Sequence, residues 1–202
     1  MIIGLVGKAR CGKTTLAEHW ERRFGFEIIS FADPLKEMMG YALPVNRPPL
    51  ELLYWPGAVP DAVSAGKEPD WRELLYVRRT PFTRWLLQFV GTDVVRDGID
   101  KNYWAKQGAR RIIASKFANK NVVIPDLRFE NEALIVQRLF GQIIKIERAE
   151  SSGAIEAGLA HRSETELDQI EADRILENKG TVTEFLAAAD DLLEFDNLGQ
   201  LH

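Results

Sequence analysis

Apolar residues in this chain fall into short runs that alternate with stretches of helical period. Ile2-Ile3-Gly4-Leu5-Val6 is a continuous apolar run closed by Gly7, the pattern of a strand buried on both faces of a parallel sheet. Over 13–24, Leu16, Trp20 and Phe24 recur every four residues with Ala17 beside them, which predicts a helix with one buried face. A second strand is expected at 27–31, and Asp33-Pro34 opens another helix. Residues 44–70 carry most of the nine prolines and read as an insertion without usable period. Thr80-Pro81 is a helix start, with threonine as cap and proline in the first turn. A longer helix is predicted at 101–118, a third buried strand at 122–124 and a helix at 130–139. Residues 142–147 alternate as a strand does, 148–165 are small and polar, and a strand at 173–177 precedes a helix at 181–194. Strands that alternate with helices predict an α/β fold, a parallel sheet wrapped by helices. No internal repeat or low-complexity tract interrupts it.

Composition narrows the class. With 202 residues, 46% apolar and 28% charged, the chain is expected to fold as a single domain over 1–202. Its net charge of −4 argues against coating nucleic acid electrostatically, though a local basic pocket for a small anion remains compatible with it. Cys11 is the one cysteine, so no internal disulfide can form, which suits a reducing compartment. The N-terminal apolar run is too short for a signal peptide, and no stretch reaches the roughly 18 apolar residues of a membrane helix. The expectation is a soluble cytoplasmic protein with no membrane partner.

The first chemistry appears where the first strand ends. Gly7-Lys8-Ala9-Arg10-Cys11-Gly12-Lys13-Thr14, followed by Thr15, matches G-x-x-x-x-G-K-[ST] in full, between a buried strand and a helix. Glycines let the backbone curl so that successive N–H groups face phosphate oxygens, and the following helix adds its positive end. Lys13 is expected to reach the β- and γ-phosphates, and Thr14 to offer its hydroxyl to Mg²⁺. Cys11 is either a thiol acidified by the helix start or merely a small loop residue. A second carboxylate, Asp126, ends the strand Val122-Val123-Ile124 one proline later, where such proteins hold the residue that orders a Mg²⁺-bound water. Arg128 is within reach of a phosphate from there. The alternative is that Asp126 caps the helix at 130–139 and Arg128 is a solvated charge.

Several motifs then line up in order: GKARCGKTT, SFADPLK at 30–36, RWLLQFVGTDVVR at 84–96, YW at 103–104, PDLRFENEA at 125–133 and HRSE at 161–164. Together the chain resembles the bacteriophage deoxynucleoside monophosphate kinases, within the nucleoside monophosphate kinase group. The phosphate loop is generic; FADPLK, LLQFVGTD and DLRFENEA are the specific part, and 44–75 matches nothing. The resemblance implies a P-loop NTPase fold with a parallel five-stranded sheet, a substrate-binding arm within 34–118 and a lid at 148–165. It implies transfer of the ATP γ-phosphoryl group to a deoxynucleoside monophosphate, with Mg²⁺, and leaves room for a homodimer. Two other readings remain: a P-loop kinase for another small metabolite, and a nucleotide-binding regulator without transfer activity.

Candidate acceptor residues follow from position and from the resemblance. Asp33 ends the second strand and would orient the acceptor, or cap the next helix; Lys36, one turn on, would hold the acceptor phosphate. Arg84 and Gln88 share a helix face, an arginine suiting a phosphate and an amide suiting a base edge, with Phe82, Trp85, Leu86 and Phe89 covering the other side. By spacing alone that face is equally an ordinary solvated one, and the family pattern favours the binding reading. Gly91, Thr92, Asp93 and Arg96 follow as a substrate loop, and Trp104 either stacks on a base or belongs to the core. At the other end, Arg148 and Arg162 are candidates to neutralise charge on the migrating phosphoryl group. His161 is structural or catalytic, and Ser163-x-x-Glu166 reads as a capping box. Asn178 and Gly180 are candidates for the adenine contact that related kinases make here, or form a plain turn.

Overall fold

The computed structural model of the chain describes residues 1–42, 75–76, 81–148 and 166–199. In chain order these form β1 (Ile2–Val6), α1 (Lys13–Phe24), β2 (Glu27–Ile28), α2 (Asp33–Ala42), α3 (Pro81–Gln88), a π-helix (Phe89–Asp97) and α4 (Tyr103–Phe117). There follow β3 (Val122–Ile124), α5 (Glu130–Arg138), β4 (Gln142–Arg148), a 3-10 turn (Glu166–Gln169), β5 (Arg174–Asn178) and α6 (Val182–Gly199). They belong to two compact units, one of Met1–Phe31 with Gly108–His202 and one of Ala32–Gln107.

The first unit holds a five-stranded parallel sheet in the order β2-β3-β1-β4-β5, so the strand that feeds the phosphate loop is central. Strand pleating sends alternate residues to opposite faces. Ile3, Leu5, Val123, Ile144 and Ile146 meet Leu16, Ala17 and Trp20 of α1 and Phe185, Ala189 and Leu193 of α6. Ile2, Val6, Val122, Ile124 and Ile143 meet Ile112 of α4 and Ala133 and Val136 of α5. Both faces are therefore covered, which is why β1 and β3 are buried along their whole length. This is the helix-flanked parallel sheet expected from the alternation of apolar runs, with the five strands that the family resemblance implies.

β2 differs from expectation. Only Glu27–Ile28 pair as strand, although Ile29 N–H still donates to Val123 O at 3.0 Å. Beyond it the chain bonds elsewhere: Ser30 Oγ and Phe31 N–H both donate to the Asp126 carboxylate, the latter at 3.1 Å. A further feature unread in the sequence joins α1 to α6. Asp190 accepts a bond from Trp20 Nε1 (3.2 Å), has both oxygens 3.0 Å from His19 Nε2, and pairs with Arg23 Nε at 3.2 Å. The chain leaves this unit after Phe31 and returns at Gly108; both are buried, and a side chain at 108 would run into the Phe31 ring.

In the second unit, Leu35, Met39, Leu75, Val95 and Trp104 form a small core with Leu86, Leu87 and Val90. α3 passes directly into the π-helix, where Asp100 N–H reaches back five residues to Val95 O at 2.8 Å. Nine residues is long for a form that mostly appears as a single bulge, frequently at functional sites. Trp104 Nε1 donates to Gly91 O at 2.7 Å and so ties α4 to this segment.

Candidate functional site

The loop between β1 and α1 is curled by three left-handed residues: Gly7 (φ 151), Arg10 (φ 64) and Gly12 (φ 114). A side chain at 7 would come within 2.5 Å of Ile146 O, and one at 12 within 3.0 Å of Asn178 Nδ2. Both glycines of the motif are therefore required twice over, by backbone conformation and by crowding. Arg10 adopts the same region without that freedom.

Lys13, the first residue of α1, folds over the loop. Its ammonium donates to Gly7 O (2.6 Å) and Lys8 O (2.8 Å) and lies 3.5 Å from Cys11 Sγ. Burial pushes the Lys13 pKa below the ordinary lysine value; the adjacent Cys11 opposes that, Arg128 adds to it, and Asp126 opposes it. Those influences show that the strand-end residues Asp126 and Arg128 share the electrostatic neighbourhood of Lys13. Cys11 is buried against this loop.

Asp126 does not cap the helix that follows it. That task falls to Glu132, whose carboxylate accepts from Arg128 N–H (3.0 Å) and Phe129 N–H (3.3 Å) at the start of α5. Asp126 is instead oriented by Ser30 and Phe31. Ser30 lies inside the SFADPLK motif but carried no assignment; its short hydroxyl at a strand end was the available signal.

A cavity of about 210 Å³ opens beside the loop, lined by Arg10, Gly12, Lys13, Thr14, Thr15, Arg148, Asn178, Val182 and Phe185. Val182 and Phe185 were read only as part of a helix. The volume is below the roughly 300–1,000 Å³ of pockets that enclose a drug-sized ligand, so it suits part of a nucleotide. Arg148, exposed at the end of β4, donates from Nη1 to Arg10 O at 3.3 Å. Asn178, paired with Arg148 in the β4–β5 register, donates from Nδ2 to Cys11 O at 2.9 Å. Gly180 and the exposed Lys8 and Ala9 do not line this cavity. Past Gly180, Thr181 and Glu184 cap α6 reciprocally: Thr181 N–H donates to Glu184 Oε2 at 2.8 Å and Glu184 N–H to Thr181 Oγ1 at 3.3 Å. Arg162, His161 and Ser163 lie outside the described residues, as does the expected lid at 148–165 apart from Arg148.

The candidate acceptor residues lie in the second unit. Asp33 is the first residue of α2 and pairs with Lys36 at 2.9 Å. The buried Lys36 ammonium also sits 4.8 Å from the Tyr76 ring centroid. Arg84 is exposed and Gln88 half-buried on α3. Trp85 and Phe89, expected to cover the side opposite Arg84 and Gln88, are about 40% exposed and stacked on one another, centroids 5.3 Å apart and planes 5° from parallel. In the π-helix, Gly91 and Thr92 are buried, Asp93 is exposed, and Arg96 donates to Lys101 O at 3.1 Å. Trp104 is 9% exposed and packs in the apolar core, its N–H engaged by Gly91 O, the setting expected of a core tryptophan.

Comparison with known proteins adds a family. The model of the family described as "Deoxynucleotide monophosphate kinase" matches residues 72–188. A protein of Acanthamoeba polyphaga mimivirus, whose name assigns it provisionally to the deoxynucleotide monophosphate kinases, is 33% identical over 202 residues, 92% of each chain. Among solved structures the chain is similar to shikimate kinase of Aquifex aeolicus (15% identical, 98% of this chain and 99% of that one, TM-score 0.49). It is also similar to dephospho-CoA kinase of Campylobacter jejuni (19% identical, 96% and 95%, TM-score 0.45). Likenesses of this degree add nothing to the fold read from the strand order. Among the described residues no helix is long and apolar enough to cross a membrane.

Proposed function

Because the chain belongs to the deoxynucleotide monophosphate kinase family, we propose that it moves the γ-phosphoryl group of ATP onto the phosphate of a deoxynucleoside monophosphate, giving ADP and the deoxynucleoside diphosphate. The observation that carries the donor half is the loop at the central strand, curled by Gly7, Arg10 and Gly12, with the Lys13 ammonium folded over it and Asp126 and Arg128 nearby. An acceptor phosphate is already anionic, so the reaction asks for positioning and for charge to be neutralised on the migrating group. Lys13 and Arg128 would supply that positive charge, with Arg148 and Arg162 from the lid segment. Thr14 and Asp126 present the hard oxygen donors that Mg²⁺ takes, and Asp126 is held in one orientation by Ser30 and Phe31, as a carboxylate that orders a metal-bound water must be. The ion, when bound, would neutralise the β- and γ-phosphate oxygens. Asp33, Lys36, Arg84, Gln88 and the segment Gly91–Arg96 are the proposed acceptor residues, read from the family pattern and from their grouping in one unit.

The decisive experiment is a panel of deoxy- and ribonucleoside monophosphates assayed with ATP and Mg²⁺ by coupled ADP release, with Lys13→Ala as control. Turnover confined to deoxynucleotides, and lost by orders of magnitude in folded Lys13→Ala, is the expected result. Turnover only on some other phosphorylated or hydroxylated metabolite would refute the acceptor, and ATP binding without product on any acceptor would refute transfer.

A further inference from the structure

The ends of β4 and β5 hold the phosphate loop from outside. Arg148 and Asn178 face each other in the strand register, and they donate to the carbonyls of consecutive loop residues, Arg10 (3.3 Å) and Cys11 (2.9 Å). A trans peptide unit is planar, and its C=O and the next N–H point in opposite directions. Anchoring a carbonyl therefore aims an amide. The Arg10–Cys11 plane is held at both ends, by Arg148 on Arg10 O and by Cys11 N–H on Lys8 O at 3.3 Å. In the Cys11–Gly12 plane, Asn178 holds the carbonyl, and the Gly12 N–H at the other end is a phosphate-facing donor of the motif. Arg10 lies in a left-handed conformation that a non-glycine residue does not favour on its own, so this curl depends on such tethers.

We infer that Asn178 acts on the donor through the loop and not through the adenine base: it is a positioning residue that keeps the phosphate cradle formed. The inference rests on the donor-site reading above and gives Asn178 a different task from the base contact suggested by the family resemblance. It makes a distinction that a base contact cannot make. A residue touching adenine matters to ATP alone, whereas one that shapes the cradle matters equally to any triphosphate chain.

The test compares ATP with inorganic tripolyphosphate, which has the phosphates and no base. Dissociation constants for both would be measured by calorimetry on wild type, Asn178→Asp and Asn178→Ala. The aspartate keeps the shape and sets an acceptor against the Cys11 carbonyl; the alanine removes the group. Each variant should lose affinity for both ligands by the same factor, about tenfold for a lost hydrogen bond that leaves a carbonyl unsatisfied. A second readout needs no ligand. Cys11 is the only cysteine and is 3% exposed, so its reaction rate with a disulfide reagent reports on the loop directly. That rate should rise several-fold in both variants and stay unchanged if Asn178 merely touches a base. Loss of ATP affinity with tripolyphosphate binding and thiol rate unchanged would overturn the inference, as would no change in any of the three. Wild type binding neither ligand would instead sink the donor-site reading, and the inference with it. Should the aspartate not fold, the alanine alone decides between these outcomes.

Discussion

Asp190→Ala probes the tie between the helix that begins at the phosphate loop and the helix that lines its cavity. Trp20 is fully buried, so losing the carboxylate takes the partner from a buried indole N–H. A buried donor left unsatisfied costs about 1–3 kcal/mol. His19, whose side chain is 19% exposed, loses a partner but stays within reach of water, worth about 0.5–1.5 kcal/mol. Arg23 is 61% exposed, and solvent screening leaves its pair about 0–1 kcal/mol. Alanine returns about 0.5 kcal/mol through helix propensity. The net loss should be on the order of 2–4 kcal/mol. In a chain of this size each kcal/mol moves the melting midpoint by about 2–4 °C, so Tm should fall by roughly 10 °C in a calorimetric scan. A double-mutant cycle isolates the cause. Trp20→Phe deletes the donor, and it should cost about 1–2 kcal/mol less in the Asp190→Ala background than in wild type. A midpoint shift below about 2 °C, or a coupling of zero, would refute the view that this carboxylate satisfies a buried indole.

Three further outcomes are expected. Burial lowers the Lys13 pKa from 10.5, so between the folded value and 10.5 the unfolded chain binds more protons and stability should rise with pH. Denaturant midpoints of wild type against Lys13→Met across that window should differ in slope, the variant losing the rise; equal slopes would put Lys13 in a solvated setting. Asp126→Asn should raise the Mg²⁺ concentration needed for half-maximal rate, and an unchanged Mg²⁺ dependence with a lowered Tm would reduce Asp126 to an anchor for Ser30 and Phe31. Arg84→Ala should lower kcat/KM for all four deoxynucleoside monophosphates by a similar factor, roughly ten- to a hundredfold, while Gln88→Ala should act unevenly among bases. ATP affinity should survive both; equal loss of it would assign this helix to the donor.

What the sequence made legible was local. β1, the loop and α1 follow from an apolar run, two glycines at fixed spacing and a four-residue period, all within a few turns of chain. β3, α5 and β4 were equally readable because each buries a run or a stripe, whereas β5 buries only Leu176. The misses come from contacts distant in sequence. β2 ends early because Ser30 and Phe31 bond to Asp126, 96 and 95 positions away. Asp190 gathers His19, Trp20 and Arg23 from the opposite end of the chain, which no window along α6 reveals. At Asp126 the two readings on offer were metal organiser and helix cap; the N-cap position falls instead to Phe129, three residues later, with Glu132 closing the start of the helix. The π-helix was read as a loop after a helix, since Gly91-Thr92-Asp93 looks like a break and period alone does not separate a wider coil from an ended one. Trp85 and Phe89 are about 40% exposed and stack on one another, a pairing that a spacing of four permits without revealing.

Phe31 and Gly108 touch, and seventy-odd residues pass between them as one uninterrupted excursion. The sheet, the phosphate loop and the cavity are thereby complete on either side of a single doorway, and whatever chain goes out through it needs only ends that come back together. If the acceptor is recognised within 32–107, as proposed, the enzyme is a fixed engine with an exchangeable tool: a new substrate would require replacing one cassette, leaving untouched the parts that hold ATP. The crossing itself tolerates no bulk at 108, since a side chain there would run into the Phe31 ring.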